Sequence, residues 1–341
     1  MSFVIRTEPG QHSFRVERGQ TVLEAAIQQH IGLPYGCRDG KCGSCTAEVL
    51  DGRVGYPSGK TEALSSQVSS ACLTCQAVPE SDLVLRVSEL ETAAEIAVRT
   101  LPCRIEDKRL LNHDVIRLRL KLPEGQRLQF LAGQYLEFIL PDGRKRAFSM
   151  ASAPHDDALI ELHVRRVPGG EFTDQIFDEV QEKSILRIQG PLGTFVLREA
   201  SERPIIFIGG GTGFAPVKGL LEHAFHTGIE RSMTLYWGVR SRRDLYLPEL
   251  PRQWAAQHAH FRYVPVLSEP DIDWNGRSGY VHETVLEDHS NIADYDVYMS
   301  GPPIMVEAGR SAFEAQGLTM DHMFSDAFEW AADSPKHKTA G

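Results

Sequence analysis

Three cysteines crowd into one glycine-rich stretch, Gly36-Cys37-Arg38-Asp39-Gly40-Lys41-Cys42-Gly43-Ser44-Cys45, and Cys75 follows at a distance. The spacing is C-x4-C-x2-C with one remote partner, an arrangement that holds a two-iron, two-sulfur cluster. Two irons need four thiolates, so three of them must converge within one tight loop. Gly36, Gly40 and Gly43 let the backbone wrap closely and turn amide N–H groups toward the sulfurs, where they stabilise the added charge of a reduced cluster. A zinc ribbon is the alternative, because Cys42/Cys45 and Cys72/Cys75 make two C-x2-C pairs. The 26 residues between those pairs exceed the roughly 15–20 usual for that ribbon, and Cys37 with its glycines would go unused. Cys72 and Cys103 read as small buried hydrophobes.

Further along, Arg146-Ala147-Phe148-Ser149 combines a cation suited to a pyrophosphate, an aromatic suited to a ring face, and a hydroxyl. Alone it reads equally as a solvated strand edge. His163-Val164-Arg165 is followed by Gly169-Gly170 and Thr173, a glycine pair that could open a helix whose N-terminus cradles phosphate. Gly190 to Phe195 then closes a strand-rich region. After the apolar strand Ile205–Ile208 comes Gly209-Gly210-Gly211-Thr212-Gly213, a turn into a helix that lets a dinucleotide backbone approach, although it is not the G-x-G-x-x-G fingerprint. Ser300-Gly301-Pro302 stands at the C-terminal end of another strand, where open α/β sheets bind ligands.

The elements that must position these residues change character along the chain. Residues 1–90 alternate short strands with one apolar helical stripe, Val22 to Ile27, which predicts a small α+β domain. Residues 91–101 are small and weakly patterned, a linker. From 102 to 199 the strands Val115–Leu120, Gln134–Ile139, Ile160–Val164 and Ile185–Ile188, separated by Gly, Pro and Asp turns, predict an antiparallel β-barrel. From 203 to 330 strands alternate with helices at Val217–Phe225, Leu247–Gln257 and Ile304–Ala315, which predicts an α/β parallel sheet. Residues 331–341 form a tail.

Composition narrows the function. The 341 residues carry a formal net charge of −10, which argues against a nucleic-acid binder, since phosphate neutralisation needs a basic face. No apolar stretch approaches the ~20 residues of a bilayer span. No basic n-region precedes an apolar run, so the expected compartment is the cytoplasm, with its six cysteines reduced or metal-bound. Residues 1–95 hold 8 basic and 12 acidic side chains, net −4, a balance that could steer docking to a basic acceptor or be mere surface charge.

Taken in order, these motifs resemble a known family. Residues 1–90 resemble plant-type, β-grasp-like ferredoxins, and 102–330 resemble the ferredoxin–NADP reductase superfamily. The domain order looks like the reductase components of multicomponent oxygenases and is similar to CDP-6-deoxyglucoseen reductases. The resemblance implies that Cys37, Cys42, Cys45 and Cys75 ligate a [2Fe-2S] cluster. It implies that Arg146, Ala147, Phe148 and Ser149, with His163, Val164, Arg165, Gly169, Gly170 and Thr173, bind FAD, Ser149 lying near the flavin position that receives hydride. Gly211, Thr212, Gly213, Arg240, Ser300, Gly301, Pro302 and Phe328 would bind the nicotinamide coenzyme or cover the flavin, with Thr212 near both ring systems. Ser300 replaces the cysteine of plant reductases, so no catalytic thiol is expected there, and Phe328 and Trp330 compete as the covering aromatic.

Arg240, Arg242 and Arg243 would favour NADPH, whereas Ser268-Glu269-Pro270 with Asp271 and Asp273 favours a ribose hydroxyl. NADH is the expected coenzyme and NADPH the alternative. The implied function is an NAD(P)H-dependent oxidoreductase that passes electrons through FAD and the cluster to a partner, a terminal oxygenase in the first reading and a sugar dehydratase in the second. A flavin reductase and a non-catalytic redox sensor are the remaining alternatives.

Overall fold

The computed structural model describes residues 2–64, 70–87, 89–90, 96–167 and 169–328, and its chain divides into two compact units. The first comprises residues up to 97 together with 193–195 and 324–327. Its sheet has the order β2-β1-β7-β3-β5, built from β1 (Ser2–Pro9), β2 (Ser13–Glu17), β3 (Thr46–Asp51), β5 (Ala71–Leu73) and β7 (Leu83–Val87). Strands β4 (Val54–Gly55) and β6 (Val78–Pro79) make a separate ribbon. Alternate residues Ile5, Phe14, Val16, Leu83 and Leu85 are buried in a common core with Val22, Leu23, Ala25 and Ala26 of helix α1 (Val22–Gln28). The helix starts where it does because Thr21 accepts from the Glu24 amide while the Glu24 carboxylate accepts from the Thr21 amide, which satisfies two otherwise orphaned donors.

The second unit holds the barrel and the α/β sheet. The barrel strands are β8 (Arg99–Leu110), β9 (Val115–Lys121), β10 (Tyr135–Ile139), β11 (Lys145–Ser149), β12 (Ile160–Arg165) and β13 (Ile185–Leu192), in the order β11-β10-β13-β8-β9-β12. Its neighbouring strands pair antiparallel, and a bridge between Met150 and Leu162 ties the two ends of that order together. Strand β8 begins at Arg99, so the last three residues of the expected linker are strand, paired with Gln189 and Gly190 of β13 and their neighbours; residues 91–95 lie outside the described part. Helix α2 (Glu171–Asp178) buries Phe172 and Ile176 against the barrel core.

Within the second unit the α/β sheet has the order β17-β16-β15-β14-β18, and β16, β15, β14 and β18 run parallel. Strand β14 (Ile205–Gly210) is buried at every residue, as a central parallel strand covered on both faces must be. Helix α3 (Phe214–His226) begins three residues earlier than its periodicity predicts, because Pro216 sits in the first turn, where its missing N–H costs nothing. Strands β15 (Met233–Val239), β16 (Phe261–Leu267) and β18 (Asp296–Gly301) and helices α4 (Glu249–Gln257) and α6 (Pro303–Glu314) lie where alternation predicts them. The two-residue β17 (Arg277–Ser278), helix α5 (Val281–Asp288) and strand β19 (Met323–Ala327) were not legible from the pattern. Among the described residues no helix is long and apolar enough to cross a membrane.

Candidate functional site

In the first unit the chain reverses sharply around the cysteine loop, with Arg38, Gly40 and Gly43 all at positive φ. Gly40 needs to be glycine on a second count, since a Cβ there would lie 2.5 Å from the Lys60 carbonyl. The loop gathers the thiols as two pairs. The Cys45 thiol donates to Cys75 Sγ at 3.2 Å. Cys37 and Cys42 form the second pair, in which the Cys37 amide donates to Cys42 Sγ at 3.4 Å and the Asp39 amide donates to Cys37 Sγ at 3.3 Å.

Within each pair one thiol is pushed up and the other down. The hydrogen bond between Cys37 and Cys42, with burial, raises Cys37, and the same bond brings Cys42 to about 7 against burial. The bond to Cys75, with burial, raises Cys45, and Cys75 is lowered in turn. Each pair therefore brings two sulfurs within hydrogen-bond reach of each other or of a shared backbone donor. Two thiols for each of two irons is the donor set of a [2Fe-2S] cluster, and the residues fit it. Cys72 pairs with Ala47 across the sheet, is completely buried, and has its thiol pushed up to about 12 by burial. Cys103 is buried in the barrel core, as expected.

In the barrel, Ser149, Phe148, Ala147 and Arg146 pair with Tyr135, Leu136, Glu137 and Phe138 of β10. Strand alternation therefore puts Arg146 and Phe148 on one side and Ala147 and Ser149 on the other. The Phe148 ring sits 5.8 Å from both Phe138 and Phe172, half in the barrel core. Thr173 is spent locally: its hydroxyl accepts from the Val167 amide at 3.0 Å and donates to the Gly170 carbonyl at 3.1 Å, which closes the Gly169-Gly170 turn onto α2. Val164 is core, and the His163 ring, fully buried, is committed to neighbours. Tyr246 donates to its Nδ1 at 3.0 Å, and its Nε2 lies 3.1 Å from Glu161 Oε1.

Glu161 also receives Arg119 at 3.1 Å and Lys218 at 3.4 Å, while Lys218 Nζ reaches the Ala151 carbonyl at 3.1 Å and Glu222 at 2.8 Å. Burial pushes Glu161 up, but the bond from His163 and the charge of Lys218 outweigh it and hold the carboxyl well below its usual range. Burial lowers His163 further than Glu161 raises it, so the imidazole is neutral.

The glycine turn and the Ser300-Gly301-Pro302 turn meet at the ends of adjacent parallel strands, Gly209 pairing with Ser300. The fit is backbone against backbone. A Cβ on Gly213 would lie 1.9 Å from the Ser300 carbonyl oxygen, and one on Gly301 would lie 2.9 Å from the Gly210 Cα. Arg165 Nη1 lies 3.3 Å from where a Cβ on Gly211 would be, and its Nε donates to Asp114 at 2.7 Å. The Phe328 amide donates to the Gly301 carbonyl at 2.9 Å. The Ser300 hydroxyl is fully buried and has no hydrogen-bond partner among the described residues. Trp330 lies outside the described residues.

Pattern reading missed the residues that hold this cradle. Trp237 donates from Nε1 to the Gly211 carbonyl at 2.9 Å, stacks on Phe214 at 4.0 Å, and meets Tyr246 edge-on at 5.0 Å. Trp and Tyr inside an apolar run look like core until the turn they support is folded beside them. Arg240 follows β15 directly, and its carbonyl accepts from the Glu269 amide at 2.8 Å, so the two sit at neighbouring strand ends. Arg242 is engaged by Asp273 at 3.4 Å and lies over Trp274 at 5.4 Å.

A glycine cradle at parallel strand ends, packed with an antiparallel barrel in a chain that also carries two thiol pairs, defines an electron-transfer oxidoreductase. Family models agree segment by segment: a 2Fe-2S iron-sulfur cluster binding domain matches residues 5–80, an oxidoreductase FAD-binding domain 102–197, and an oxidoreductase NAD-binding domain 207–311. The chain is 37% identical over 328 residues to the CDP-6-deoxy-L-threo-D-glycero-4-hexulose-3-dehydrase reductase of Yersinia pestis, covering 96% of this chain and 99% of that one. It is 34% identical to reductase component 1 of the terephthalate 1,2-dioxygenase of a Comamonas species, over 96% and 98%. The crystal structure of the Amycolatopsis cytochrome P450 reductase GcoB matches with a TM-score of 0.77 at 34% identity, over 96% and 98%.

The chain belongs to the three-domain iron–sulfur flavoprotein reductases, in which a ferredoxin module precedes a flavin barrel and a nicotinamide-nucleotide domain. Its cofactors are a [2Fe-2S] cluster, FAD and NAD(P)H, and the zinc-ribbon alternative falls.

Proposed function

We propose that this reductase takes electrons from NADH and delivers them to the terminal oxygenase of a multicomponent system. The arrangement that carries the reading is the pairing of thiols two by two in a chain that also builds the Gly211–Gly213 and Ser300–Pro302 cradle. When bound, the flavin takes two electrons as hydride and the cluster passes them on singly. Cys37, Cys42, Cys45 and Cys75 hold the cluster. Arg146, Ser149, Arg165 and the Gly169-Gly170 turn hold the flavin, and Gly211, Thr212 and Gly213 receive the coenzyme. Thr212, half-exposed, and Ser149 border the path of the hydride.

NADH rather than NADPH is supported by the charges around the adenosine end. Asp273 and Trp274 occupy Arg242, and the exposed Glu269 stands beside Arg240, where a carboxylate repels a 2′-phosphate. A second acceptor, a deoxyhexulose dehydrase, is favoured by one observation: the 37% identity to reductases named for that enzyme exceeds the 34% to the terephthalate dioxygenase component.

Steady-state reduction of cytochrome c by NADH, with wild type and Cys42→Ser, tests the electron route. Turnover in wild type that collapses in the variant, while ferricyanide reduction persists, supports it; no turnover at full cofactor loading refutes it. Oxygenase and dehydrase partners added to the same assay then distinguish the acceptors.

A further inference from the structure

Two hydroxyl residues outside every cofactor motif reach the cysteine loop from far along the chain, both within the first compact unit. Thr194, buried in the segment after β13, engages both backbone polar groups of one residue. Its Oγ1 accepts from the Tyr35 amide at 2.7 Å and donates to the Tyr35 carbonyl at 2.8 Å, and its own amide donates to the same carbonyl at 3.1 Å. Tyr35 stands two residues before Cys37 and 159 residues from Thr194. On the other side of the loop, Ser44, between Cys42 and Cys45, donates to the Ser325 carbonyl in β19 at 2.9 Å, 281 residues away, and the two hydroxyls lie 3.3 Å apart. Both anchors bear on the same point, since a Cβ on Gly36 would lie 3.3 Å from both Cys42 Sγ and Ser44 Oγ.

We propose that Thr194 and Ser325 are positioning residues for the four-cysteine centre, clamping segments 35–37 and 42–45 so that amide N–H groups stay aimed at the sulfurs and set the potential at which the centre accepts an electron. The inference rests on the reading that Cys37, Cys42, Cys45 and Cys75 hold the cluster. The bonds that the clamp protects are the Cys37 amide on Cys42 Sγ and the Asp39 amide on Cys37 Sγ. N–H donors to cluster sulfurs favour the reduced, more negative form, so releasing them disfavours reduction. Thr194 is suited to the task because one hydroxyl both accepts from and donates to Tyr35, a double role that valine, of nearly the same shape, cannot fill.

The test is an EPR-monitored redox titration of the full-length, cofactor-loaded chain with Thr194→Val, Thr194→Ser and Ser44→Ala. Thr194→Val is expected to lower the reduced-to-oxidised ratio at a fixed poise about tenfold, equivalent to about 59 mV for a one-electron couple. Thr194→Ser, which keeps the hydroxyl, restores the wild-type value, and Ser44→Ala moves the potential in the same direction as valine. FAD content and NADH–ferricyanide rate stay unchanged in all three. If the valine variant loses iron while the serine variant keeps it, the clamp is supported and Ser44→Ala supplies the potential. An unchanged potential in both Thr194→Val and Ser44→Ala, with a normal wild-type cluster signal, overturns the clamp. A wild-type chain with neither iron nor a reduced-cluster signal overturns the cluster reading on which it stands.

Discussion

Gly213→Ala is the sharpest perturbation of the cradle, because it separates steric fit from backbone freedom. Gly213 has φ −58° and ψ −15°, ordinary right-handed values, so alanine loses nothing in conformation. What it adds is a methyl 1.9 Å from the Ser300 carbonyl oxygen, 2.4 Å from its carbon and 2.9 Å from the Gly301 nitrogen. Side-chain Cβ atoms do not approach closer than 3.0 Å, so the two turns must part by about 1.1 Å. Both partners are backbone at the ends of hydrogen-bonded strands, and no rotamer can yield. A misplacement of about 1 Å in a reacting assembly costs on the order of 100-fold in rate.

Stopped-flow reduction of the flavin by NADH should therefore slow by about that factor, while the spectrum of the chemically reduced cluster is unchanged. Gly228→Ala is the control. It has nothing within 4 Å but φ +73°, so it should lower stability by about 1–2 kcal/mol and leave hydride transfer alone. A Gly213→Ala rate within threefold of wild type would refute the reasoning.

Three further outcomes are expected. Trp237→Phe keeps the stack on Phe214 but leaves the Gly211 carbonyl without its 2.9 Å donor; the melting temperature should fall by an amount matching about 1–2 kcal/mol, and the NADH dissociation constant should rise several-fold in a fluorescence titration. His163 is buried and neutral with its pKa lowered, so the unfolded chain binds the extra proton. Its stability contribution is complete above the ordinary pKa of 6.5 and shrinks as pH falls below it. Melts between pH 7.5 and 5.5 should show falling stability that His163→Gln flattens; a pH-independent wild-type melting temperature would count against the buried neutral imidazole. Asp273→Ala releases Arg242, and relative use of NADPH over NADH should rise by up to about fivefold, the scale of an exposed ion pair; an unchanged coenzyme ratio in kcat/KM would remove Arg242 from the adenosine site.

The ferredoxin loop was the most legible feature, since thiolate spacing within one loop is a local property and the sulfurs in Cys37, Cys42 and Cys45 can converge only if the chain wraps there. The order of strands and helices was legible for the same reason, as periodicity of 2 or 3.6 reports which faces must be buried. The flavin motif was less so. A linear reading groups Arg146, Phe148 and Ser149, but alternation along β11 places Ser149 opposite the other two, and Phe148 is drawn toward Phe138 and Phe172. His163 read as a cofactor residue, yet burial and the flanking Tyr246 and Glu161 occupy both ring nitrogens.

Sequence alone thus determined the chemistry this chain can host, because cysteine spacing, glycine turns and strand periodicity are written over a few residues at a time. Tertiary structure decided which groups support that chemistry. Trp237 under Gly211, Lys218 between Glu161 and Glu222, and Thr194 on Tyr35 come together only when distant segments fold against one another. Hydrogen bonds and ion pairs act over about 3 Å in space, a distance to which separation along the chain gives no guide.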